Sequence, residues 1–164
     1  KQTIYSVNSS DKTIFVIKPQ MITAKPTIAL DYVEKSQPSA AIPKVSGKQA
    51  THYRYEANGK HCYDAVTMEA DFLPEVVGAL LEYRTVLAGE HASSISRMPM
   101  ETLDACDLSL NIFHATKHIQ NGLPIREWDQ RGFQRFLQDY RNKFKLDPDA
   151  FQLPEGYTQY SIGE

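Results

Sequence analysis

The chain has 164 residues, of which 41% are apolar and 23% charged, with a formal net charge of −2. That profile fits one folded domain with its own core and excludes a disordered, charge-rich chain. No apolar run approaches the ~20 residues a spanning helix needs, so a membrane partner is not expected.

Gln2–Val7 and Lys12–Lys18 are rich in β-branched and aromatic residues and flank the turn-forming Asn8-Ser9-Ser10-Asp11, which predicts a hairpin closed by Pro19. Thr27–Val33 is a third strand candidate. Residues 34–50 collect Lys, Ser, Pro and Gly and predict a mobile loop. Thr51–Val66 carries the clearest local signal, because Asn58-Gly59 suits a two-residue turn in which both residues accept positive φ. Counting outwards pairs Glu56 with His61, Tyr55 with Cys62, Arg54 with Tyr63 and Tyr53 with Asp64. One face of the hairpin then packs inward through Tyr53, Tyr55, Cys62 and Val66, and the other faces water.

From Asp71 the period turns helical. Leu73, Val76, Val77, Leu80, Tyr83 and Leu87 predict a first helix stopped by Gly89. After a connection over 90–98, Pro99 opens a second helix that runs to about Ile119 and stops at Asn121-Gly122. Trp128, Phe133, Phe136, Leu137, Tyr140 and Phe144 predict a third helix over 126–145, followed by an irregular tail over 146–164. Together these make a single α+β domain spanning 1–164. A small antiparallel sheet of four to five strands, drawn mostly from residues 1–66, packs against about three helices in the helical part, 67–145.

Several constellations could carry chemistry. His114 and His118 are four apart on the second helix, a spacing that lets two imidazoles share a divalent transition metal, with His91 as a third ligand. Asp107 and Asn111 lie on the same stripe and could orient those rings. This would make a metal-dependent hydrolase or metal-binding protein, although H-x-x-x-H lacks the glutamate of H-E-x-x-H. Cys62 and Cys106 fall in different elements and read as buried free thiols, which points to a cytoplasmic home. No signal-peptide pattern opens the chain, which starts at Lys1. Arg131, Arg135, Arg141, Lys143 and Lys145 interleave with aromatics on the third helix, a pattern nucleic acid could use. No phosphate-cradling glycine loop, nucleophile elbow, C-x-x-C or calcium loop occurs.

Charge is segregated along the chain. Residues 1–66 carry nine basic and five acidic groups, 67–109 two and eight, and 126–145 six and three. Blocks of this kind can steer a partner or neutralise one another inside the fold. With no catalytic motif, the favoured expectation is a non-enzymatic interaction or regulatory protein without a cofactor. It would bind another protein, or itself, through the acidic surface of the first two helices (Glu69, Glu75, Glu82, Glu90, Glu101, Asp104) or through an exposed sheet edge.

Overall fold

The computed structural model describes residues 2–39, 42, 44–45, 47–95, 99, 103–141, 144–145 and 147–161. Twelve elements follow in order: β1 (Ile4–Asn8), β2 (Thr13–Ile17), β3 (Tyr32–Pro38), β4 (Thr51–Ala57), β5 (Lys60–Met68), α1 (Pro74–Ile95), α2 (Ala105–Leu108), a π-helical segment (Ser109–Phe113), α3 (Lys117–Gln120), β6 (Leu123–Asp129), β7 (Gln134–Phe136) and β8 (Thr158–Ser161). The fold is mixed α+β, with a five-stranded antiparallel sheet in the order β3-β4-β5-β6-β7 and a three-stranded mixed sheet in the order β1-β2-β8.

The first hairpin forms as its composition dictates, with Ile4 opposite Ile17 and Asn8 opposite Thr13. Asn8 Oδ1 accepts from the Ser10 amide, closing the turn through its own side chain. The tail is not wholly irregular, since β8 pairs in parallel with β2. The third strand begins later than its composition suggests. Residues 27–31 form no strand, and Glu34–Pro38, expected in a loop, extend β3 along β4. Pairing to a neighbour outweighs their weak strand preference.

The central hairpin turns at Asn58-Gly59, with φ of 52° and 73°. Glu56 faces His61 as expected, but Cys62 is an extra residue in β5, so Tyr55 faces Tyr63, Arg54 faces Asp64 and Tyr53 faces Ala65. This bulge shifts every pair on the far side of it from the turn by one residue.

α1 runs through Gly89 to Ile95 instead of stopping at the glycine. Gly89 is a contact point: a β-carbon there would lie 2.3 Å from the Gln20 carbonyl oxygen. It lets the segment after β2 cross the helix, while Ala24, Ile28 and Leu30 pack on Ala92, Ile95, Leu108 and Ile112. The second helix is broken into short pieces. The His114 amide bonds back five residues to the Ser109 carbonyl at 2.7 Å, and α3 starts only at Lys117. Among the described residues of 126–145 there is no helix. Residues 123–129 alternate in burial, with Leu123, Ile125 and Glu127 inside, and pair with β5, while Gly132 at φ 96° turns the chain into β7. A period of two with a mid-run glycine outweighs the looser aromatic spacing.

The main core, Ala50, Val66, Met68, Phe72, Val77, Ile119, Leu123 and Ile125, joins β5 and β6 to α1 and α3. Gly122 allows the chain to pass beside β5, where a β-carbon would lie 1.9 Å from the Met68 carbonyl oxygen. The cysteines are not free. Cys62 and Cys106 form a disulfide with Cα atoms 5.3 Å apart, packed with Ala57 and fastening α2 to the bulge of β5. The residues lie in different elements, but the fold brings those elements together, which spacing alone could not reveal. No helix among the described residues is long and apolar enough to cross a membrane.

Candidate functional site

Polar side chains concentrate on both faces of the large sheet. On the face turned away from the helices, the register aligns Lys35 with Arg54 and Gln37 with His52 across β3 and β4, and Arg54 with Asp64 across β4 and β5. Asp64 is 1% exposed and gathers this group. His52 Nε2 donates to Asp64 Oδ1 at 2.8 Å, and Arg54 Nε donates to the same oxygen at 3.3 Å. His61 Nε2 lies 2.6 Å from Asp64 Oδ2 at an ion-pair distance, without the alignment of a hydrogen bond. Each ring's other nitrogen faces an amide: Gln37 Nε2 at 3.4 Å for His52 and Gln130 Nε2 at 2.8 Å for His61. A buried carboxylate needs such company, because an unpartnered one would be costly.

Around this centre, Lys35 Nζ bonds both oxygens of Glu56, at 2.7 and 2.8 Å. His52 stacks on Trp128 with centroids 5.4 Å apart, and the Arg126 guanidinium lies 5.2 Å over the same indole. Lys35, Ser36, Gln37, His52 and Arg54 line a cleft of about 180 Å³.

The helix-facing side holds a second buried carboxylate, Glu127. Tyr63 donates to Glu127 Oε1 at 2.5 Å, and Arg135 Nε donates to Glu127 Oε2 at 2.5 Å. Burial, and then the Glu127 carboxylate, push the Tyr63 hydroxyl well above its ordinary pKa. His118 lies edge-on against Tyr55 and Tyr63. Burial, helped by Arg84 and Arg135, drives its pKa down to about 3, so the ring is neutral at physiological pH. Its Nδ1 has no hydrogen-bond partner among the described residues.

The three histidines read as metal ligands are held separately. His114 Nδ1 lies 2.9 Å from Ser109 Oγ and its ring stacks on Tyr32, His118 is buried against the sheet, and His91 Nδ1 lies 3.4 Å from the Asn111 carbonyl. The π-helical segment and the turn after it remove the shared helical face that the four-residue spacing assumed. Among the described residues, no group of three or more His, Cys, Asp or Glu is placed to hold a metal. Asp64 and Gln37 already engage both nitrogens of His52, and Gln130 engages Nδ1 of His61, whose Nε2 lies only at ion-pair distance from Asp64.

The acidic set also divides. Glu75 and Glu82 are exposed on α1. Glu69 pairs with Lys48 at 3.3 Å. Glu90 is buried, with Oε2 accepting from Gln20 at 3.1 Å. Asp104 caps α2 and pairs with Lys60 at 2.6 Å. Glu101 lies outside the described residues. Of the basic set, Arg131 grips Asp107 through two bonds of 2.9 and 3.0 Å, and Arg135 is committed to Glu127. Arg141 and Lys145 are exposed, and Lys143 lies outside the described residues. The basic helical stripe is therefore corrected to strands and turns whose leading arginines are neutralised.

Sequence reasoning missed the Asp64 centre. The alternation of His52, Arg54 and Glu56 against His61 was visible, but the bulge at Cys62 decides that Asp64 and not Tyr63 meets Arg54. No family model, no curated protein and no solved structure matches this chain.

Proposed function

We propose that this is a non-enzymatic binding protein that takes an extended segment of another protein as an added strand along β3. The observation behind this reading is the free edge of that strand. β3 is seven residues long, ends the five-stranded sheet, and is exposed from Glu34 to Pro38. Among the described residues, no backbone hydrogen bond reaches its outer side. An unpaired row of amides and carbonyls is what strand addition uses, with main-chain bonds supplying affinity and alternate side chains supplying selectivity. The opposite edge, β7, has only three residues. Lys35 and Pro38 on β3 are residue types that restrain indiscriminate edge pairing, which suits a selective site.

The acidic helical surface supports a partner less well, since Glu90 and Asp104 are used within the fold. The disulfide favours an oxidising compartment over the cytoplasm. The test is selection from a displayed library of random eight-residue peptides, followed by hydrogen exchange of the complex. Bound peptides should slow exchange of β3 amides while leaving β5 amides unchanged. If selected peptides bind without slowing β3, or nothing binds, the reading fails.

A further inference from the structure

Resting on that reading, we infer that the added segment carries an acidic side chain and that Arg54 receives its carboxylate in the cleft between β3 and β4. Arg54 is held at one point only. Its Nε donates to buried Asp64, while the two terminal nitrogens have no partner among the described residues and the side chain is 49% exposed. Asp64 is fixed in turn by His52, so the guanidinium is anchored at its root with its outer fork open. That fork matches a carboxylate in paired, parallel hydrogen bonds.

The surroundings favour an anion there. Both carboxylates on this part of the face already have cations: Glu56 has Lys35, and Asp64 has Arg54 with two imidazoles beside it. The Gln37 amide, the Ser36 residue and the exposed Lys35 ammonium complete the cleft. Lys35 and Gln37 are the edge-strand members of the two cross-strand pairs that form it. A strand added outside β3 would set a side chain about 5 Å from Lys35 or Gln37 on this face. An Asp or Glu there reaches over the edge strand to the Arg54 fork.

The peptide selection separates this inference from the strand-addition reading. With the wild-type protein, peptides that protect β3 should share Asp or Glu at one position, and replacing that residue by Asn or Gln should weaken binding about tenfold. With Arg54→Gln, peptides should still protect β3, but the acidic preference and the tenfold penalty should vanish. Gln37→Glu, an exposed change at the cleft mouth, should turn selection against acids and provides a second reading should Arg54→Gln misfold. Protection of β3 by peptides lacking a common acid, or an acid penalty that survives Arg54→Gln, would overturn the inference and leave strand addition standing. Failure of any peptide to protect β3 would remove both.

Discussion

Cys62, the bulge residue of β5, is bonded to Cys106 in the first turn of α2, closing a loop with a sequence separation of 44. α2 has four residues and could not hold its place by helical hydrogen bonding alone. The bond fixes it where Lys60, Asp104 and Arg131 can meet. Chain entropy assigns a loop of this size about 4 kcal/mol of stabilisation. Replacing both cysteines by Ala should lower the unfolding free energy by roughly 2–4 kcal/mol, read by urea titration. Both residues are buried, so alkylation of native protein under mild reductant should lag far behind alkylation in urea. Equal stability with and without the bond would contradict this account.

Gly89 and Gln20 define the crossing of the strap over α1. Gly89→Ala removes a helix-weakening residue, which alone should help by ~1 kcal/mol. The new methyl would meet backbone 2.3 Å away, however, and backbone cannot rotate aside as a side chain can. The expected result is a net loss of roughly 1–3 kcal/mol, with faster exchange at amides near Gln20. The same substitution at Gly78, which has nothing within 4 Å, should be neutral or stabilising.

Asn58 does two jobs. It accepts positive φ in the turn, and its side chain holds the strap: Nδ2 donates to the Ala29 carbonyl at 2.9 Å and Oδ1 accepts from the Asp31 amide at 2.7 Å. Asn58→Ala loses both bonds and strains the turn, for a cost of about 2–3 kcal/mol. Asn58→Gly restores the turn but not the bonds and should recover only part of the loss. Thermal unfolding of the three proteins checks the order.

What the sequence made legible follows from range. The two hairpins, the onset of α1 and the mixed α+β class rest on contacts close in the chain, and they stand. Gly89 read as a stop because a glycine's partner 69 residues away leaves no local mark. Trp128 suits a helical stripe as well as a strand, until pairing with β5 chooses. The Asp64 centre depends on one bulge, and one residue of slip exchanges the faces of everything beyond it. An exposed sheet edge was foreseen without a strand assigned to it, because β3 owes its length to pairing with β4 and not to the polar residues Glu34–Gln37.

His118 sets an acid limit on stability. Its pKa is about 3 in the folded protein, against an ordinary value of 6.5. Between those values the unfolded chain binds a proton that the folded chain refuses, so stability falls as pH drops from about 6.5 towards about 3. One proton corresponds to a slope of about 1.4 kcal/mol per pH unit within that window. His114, lowered chiefly by burial and then by Lys117, adds to the slope with the same sign. The measurement is urea unfolding at pH 7, 6, 5 and 4 for the wild type and for His118→Gln, a change that keeps a polar group of similar size. The variant should be less stable at pH 7, because the ring packs against Tyr55 and Tyr63, yet lose stability less steeply on acidification. The two curves should draw together by roughly 1 kcal/mol per pH unit below pH 6. Parallel curves would mean that the buried ring takes up its proton without unfolding and that its burial is not what sets the limit.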